Sequence, residues 1–177
     1  MSYFNQVKIT MVEFAKGKYI IISLVMLFIF VFLMRGRKGH LDERFGYSPN
    51  DAYSLMNHLG NKGRRSYFSF LWLDFGVIVF LGIILLIVIA ILLNKLAVED
   101  KWSLLFLLPI VRGIFDILEN IFIMIILSNY PRRLNIVVNA ASIMTQLKWV
   151  TMILSIVSII ALTVIVLIKA FMIKKAC

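Results

Sequence analysis

Four apolar stretches, at about 19–34, 68–93, 102–127 and 134–168, occupy most of this chain and limit what it can fold into. About 20 helical residues, at about 1.5 Å each, cover the hydrocarbon core of a bilayer. Inside that core a spanning segment must satisfy its own backbone hydrogen bonds, which favours helix over open sheet. The expected fold is therefore all-α: a polytopic membrane protein with four transmembrane helices in an up-down bundle. The composition agrees, because 62% of the 177 residues are hydrophobic against about 45–50% in soluble domains. What remains is too short for a separate catalytic module, so residues 1–177 form one membrane domain.

The formal charge of +10 does not point to nucleic acid, because the basic residues flank the apolar stretches. Lys16 and Lys18 precede the first stretch and Arg35, Arg37 and Lys38 follow it, so the expected partners are membrane lipids. The first stretch is expected to be a retained anchor and not a cleaved signal, since RGRK follows it with no small-residue cleavage site. Orientation stays open. The termini and second connection carry eight Lys/Arg, and the first and third connections carry nine.

The single cysteine, Cys177, permits no internal disulfide or redox pair. His40 and His58 fall in the first connection and are expected to be solvated, and no metal, nucleotide or serine-hydrolase motif occurs. Neither a metal nor a cofactor is expected. Trp72, Trp102 and Trp149 lie near helix ends and fit an interfacial belt.

Short turns at 97–101 and 129–135 make the last three helices antiparallel neighbours. The one long connection, 35–66, contains Ser48, Pro49 and Asp51 in the order of an N-cap, a first-turn proline and a third-position acid. A short amphipathic surface or lid helix over about 48–59 follows, which Gly60 and Gly63 should stop before Arg64 and Arg65.

The third stretch contains PIVRGIFDILEN, which puts Arg112, Asp116 and Asn120 at steps of four with Glu119 on the same face. Neither flanking apolar arm can span alone, so some of these residues lie at bilayer depth. A charge there costs on the order of 3 kcal/mol and needs protein partners or cavity water. Asp116 and Glu119 should face the bundle interior, with lipid-facing positions among Ile114, Ile117, Leu118 and Ile121. Asp74 and Lys148 belong to the same end of the bundle if their helices extend through them. The expected cleft is lined by Asp74, Asp116, Glu119, Asn120 and Lys148, with Ser142 and Thr145 on Lys148's face. Counting Arg112, its formal charges sum to minus one.

The string DERFGYSPNDAYSLMNHLGNKGRRSYF, with LDFG, RGIFDILEN and TQLKW downstream, resembles a group of small, uncharacterised four-helix membrane proteins found mainly in bacteria. The likeness covers about 41–152. It implies a multi-pass protein of the bacterial plasma membrane, with Asp42, Arg44, Tyr47, Arg64 and Tyr67 as mouth or lid residues beside the intramembrane set. It implies no reaction. In burying acidic residues inside a small bundle the chain is also similar to the sterol-isomerase and sigma-2-receptor class, by architecture and without a shared motif.

The leading functional expectation is a buried charged cleft that binds a small amphiphilic or cationic ligand or lipid, as a receptor-like binder or a lipid-modifying enzyme. The alternatives are a small proton-coupled or ion-conducting transporter that works as a homo-oligomer, and a structural subunit of a membrane complex.

Overall fold

The computed structural model describes residues 6, 9–10, 12–13, 18–35, 40–96 and 100–176. Lys16, Arg37, Lys38 and Cys177, and most of the second connection, lie outside the described residues. Among those described, the chain forms four α-helices and no strand: α1 (Lys18–Leu33), α2 (Pro49–Leu96), α3 (Leu107–Asn129) and α4 (Asn135–Ala176). Short 3-10 turns lie at Leu41–Glu43 and Asp100–Phe106. Pro49–Leu96 and Asn135–Met172 are each long and apolar enough to cross a membrane.

The expected lid helix and second apolar stretch are joined in α2. Gly60 alone leaves helical geometry (φ 60°, ψ −173°), and the chain resumes as helix through Gly63, Arg64 and Arg65. A left-handed φ is cheap only for glycine. Across this break the Arg64 Nη1 donates to the Met56 carbonyl at 2.8 Å, an acceptor that a C-terminal turn leaves exposed. Gly60 thus ends the lid helix as expected, and a second helix starts directly after it with Gly63 inside it, so Gly63 is not a stop. Ser48 and Asp51 form the expected cap, the Asp51 carboxylate accepting the Ser48 N–H at 2.9 Å and hydroxyl at 2.6 Å. Those bonds to Ser48 hold the Asp51 carboxyl below its ordinary range.

The α3 helix packs antiparallel on both neighbours, pairing Asn120 with Asp74 of α2 and Glu119 with Thr145 of α4. Two apolar cores result. One joins Leu41, Met56, Tyr67 and Leu71 to Ile123, Ile126, Val138 and Ala141. The other joins Ile89, Ala90, Leu93 and Leu96 to Phe106 and Leu162. Along each helix the buried polar residues fall between these two sets: Asp74 in α2, Arg112 to Asn120 in α3, and Thr145 and Lys148 in α4.

The outer surface is apolar. Ile153, Leu154, Val157, Ile160, Val164 and Phe171 of α4 are all exposed, as are Ile114, Ile117 and Ile121 of α3, with Leu118 partly so. The hydroxyls in that part of α4 return to its own backbone, Thr151 to Leu147, Ser155 to Thr151, Ser158 to Leu154 and Thr163 to Ile159. They therefore need no water.

Candidate functional site

Lys148 organises the polar layer. Its Nζ lies 3.2 Å from Asp116 Oδ1, contacts Glu119 Oε2, and donates to the Asp42 carbonyl at 3.1 Å. One ammonium thus bridges two carboxylates and ties the 40–47 segment to α4. The four-residue step along α3 brings Arg112 onto the same carboxylate from the other side, Nη2 to Asp116 Oδ2 at 2.6 Å. Asp116 is 2% exposed and Glu119 is fully enclosed, so both face the interior.

Second contacts extend the layer into each neighbouring element. The Thr145 hydroxyl donates to Glu119 Oε1 at 2.7 Å, and Asn120 Nδ2 donates to Asp74 Oδ2 at 2.9 Å. The Nε and Nη1 of Arg112 are closed off from solvent and have no hydrogen-bond partner among the described residues. Buried donors left so cost about 1–3 kcal/mol each.

The 40–47 segment is not a solvated loop. Its Leu41 N–H donates to the Tyr67 hydroxyl at 3.1 Å, and that hydroxyl donates to Asp42 Oδ1 at 2.9 Å. The Tyr47 N–H donates to Ser142 Oγ at 2.9 Å, and Trp149 Nε1 donates to the Arg44 carbonyl at 3.2 Å. Burial raises the Tyr47 phenol above its ordinary value, so it stays neutral. His40, expected in water, is instead buried and stacks on Tyr67 with ring centroids 4.0 Å apart. The flat, polar imidazole seals the joint between the segment and α2. His58 is exposed as expected.

Beneath this segment lies a cavity of about 330 Å³, lined by Asp42, Glu43, Asp74, Arg112, Asp116 and Lys148 on its polar side and by Leu81, Trp149 and Met152 on the other. Asp74, Arg112, Asp116 and Lys148 meet there, together with Asp42 from the mouth set. Glu119 and Asn120 stand behind the wall, where α3 presses on α4 and α2, and do not line it. Arg64 and Arg44 are also elsewhere. Arg64 lies at the Gly60 break beneath the Tyr130 ring, 4.1 Å from its centroid, and Arg44, whose carbonyl accepts the Trp149 indole N–H, lines a separate depression with Asp51 and His58. Sequence reasoning missed Glu43 and the cavity role of Trp149. The acid next to Asp42 and the indole next to Lys148 were the available signals.

Among the described residues no group of three or more His, Cys, Asp or Glu could hold a metal ion. The geometry can bind a charged head against an apolar wall, or pass charge along the Arg112, Asp116, Lys148 and Glu119 series. No protein family, curated protein or solved structure matches the chain.

Proposed function

We propose that this chain is a four-crossing membrane protein that binds a small amphiphile, its polar head in the charged cavity and its apolar part along the Leu81, Trp149 and Met152 wall. The observation that carries this reading is a charged cavity of about 330 Å³ set inside a bundle whose outer face is apolar. An exposed apolar surface of that extent calls for lipid or a protein partner. The cavity supplies what small-molecule sites commonly have, an apolar wall with a few convergent polar groups. The bacterial plasma membrane enters this reading only through the resemblance to the bacterial four-helix group.

Native mass spectrometry of the protein purified in a mild neutral detergent tests it. The expected spectrum is a folded protein carrying an amphiphile in a one-to-one ratio with each subunit. Protein that arrives empty and takes up no added amphiphile would sink the reading.

One observation favours charge transfer instead, namely the unbroken contacts from Arg112 through Asp116 and Lys148 to Glu119 and Thr145. Liposomes reconstituted with the protein separate the two readings. A proton flux that Glu119→Gln abolishes would support the relay, and its absence would leave the binder.

A further inference from the structure

A second cavity, of about 350 Å³, opens where the helix that restarts after Gly60 meets the last turn of α3. Arg64, Arg65 and Ser128 line it, together with Phe68, Leu127 and Tyr130. We propose that this cavity holds the phosphate of an anionic phospholipid, whose acyl chains lie along an exposed isoleucine stripe of α3. The site rests on the four-crossing reading above and is independent of what the inner cavity binds.

The charge of the cavity is positive and fixed. No carboxylate lines it, and among the described residues neither arginine is ion-paired with one. Arg64 is positioned by uncharged groups. Its Nη1 donates to the Met56 carbonyl at 2.8 Å, its Nη2 donates to Asn61 Oδ1, and its guanidinium carbon lies 4.1 Å from the Tyr130 ring centroid. These contacts occupy some of its donors and neutralise none of its charge. Tyr130 in turn stacks on Tyr53, with centroids 6.4 Å apart, and Arg133 lies 5.0 Å from the Tyr53 ring centroid. The alternation of cation and ring keeps a third arginine at this end of the bundle. The Arg65 side chain is exposed, and the Ser69 hydroxyl bonds only its backbone carbonyl, at 3.2 Å. Its planar fork of N–H donors matches two phosphate oxygens, which a lysine would meet only as a point charge.

The apolar half of the ligand follows from the register of α3. Counting back from Ser128, Ile125, Ile121, Ile117, Ile114 and Ile110 recur at steps of three and four, and all are exposed. They share one face, so Ser128 is the polar end of an isoleucine stripe and the basic cavity stands at its head. At about 1.5 Å per residue, Ser128 to Ile117 spans about 16 Å, close to half of the about 30 Å hydrocarbon core. That is the depth of one leaflet. A phospholipid with its head between the arginines and its chains on the stripe therefore keeps the depth it has in a bilayer. A soluble phosphate compound would leave the stripe uncovered.

The test takes the full chain in neutral detergent and titrates it, by native mass spectrometry, with phosphatidylglycerol and phosphatidylcholine of identical acyl chains. The first phosphatidylglycerol should bind about tenfold tighter or more. Arg65→Gln, a change at an exposed position, should remove about fivefold of that preference, the weight of one basic residue beside an anionic surface. Lys95→Gln, at the other end of α2, should remove none. Phosphatidylglycerol carrying a mid-chain diazirine should cross-link to α3 between Ile117 and Ile125.

Equal affinity for the two lipids, full retention of the preference in Arg65→Gln, or an equal loss in Lys95→Gln overturns the site. So do cross-links confined to α4 or to Leu81 and Met152 of the inner cavity. Displacement of the lipid by inorganic phosphate at a comparable concentration assigns the cavity to a soluble anion and overturns the phospholipid. A chain that stays folded and monodisperse after detergent is removed overturns the four-crossing reading, and this proposal with it.

Discussion

Asp116 stands between two cations, and the consequence of changing it depends on what its neighbours are left with. In Asp116→Asn, Lys148 keeps Glu119, but Arg112 loses the one hydrogen-bond acceptor shown for it and remains buried. Breaking such a pair costs about 3–5 kcal/mol, whereas removing both members is often close to neutral. Thermal unfolding in detergent should therefore show a large loss for Asp116→Asn and substantial recovery in Arg112→Gln with Asp116→Asn. A single variant as stable as wild type would mean that the pair does not hold the bundle. Ligand binding separates structure from function, because the double variant regains stability without regaining the carboxylate. The step of four from Arg112 to Asp116 was legible from periodicity alone. The reach of Lys148 was not, since it depends on how α4 sits against α3, and neither was the burial of His40, which depends on the Tyr67 ring 27 residues later in the chain.

The same division between local and long-range information governs the elements. The start of α2 was legible because Ser48, Pro49 and Asp51 specify a helix N-terminus within four residues. Its end at Gly60 was legible too, but the restart of helix directly after it, where Arg64 bonds back to the Met56 carbonyl, was not. The cap also gives the helix a pH dependence of known sign. A carboxyl held low in the folded state contributes fully above its unfolded pKa, and that contribution disappears as pH falls through the folded value. The melting temperature of wild type should exceed that of Asp51→Asn at neutral pH. The gap should close on acidification below the ordinary carboxylate range, near a pKa of about 3.9. A gap that persists undiminished in acid would show that Asp51 acts through its shape and not its charge.

At the scale of the whole molecule, the four-crossing reading places both termini on one side of the membrane and the 35–66 connection on the other. Cysteines introduced at Ser2 and Asn50 in a Cys177-free background should label with an impermeant reagent from opposite sides. Labelling of both from the same side would remove the four-crossing topology. The lid helix is fastened at its far end as well, since the Tyr53 hydroxyl accepts the Leu134 N–H at 2.5 Å and Arg133 Nη2 donates to Asn50 Oδ1 at 3.0 Å, across the turn that joins α3 to α4. The polar layer between the two apolar cores bears on how such a chain could be made. On the four-crossing reading, synthesis from the N-terminus would present α3 to the insertion machinery while Lys148, the partner of Asp116 and Glu119, is still unmade. At about 2.5–3.5 kcal/mol for each charge at a helix centre, that segment is a poor candidate to enter lipid alone. On that reading the natural unit of insertion is the α3–α4 hairpin, with α3 kept out of the bilayer until its counter-charge has emerged.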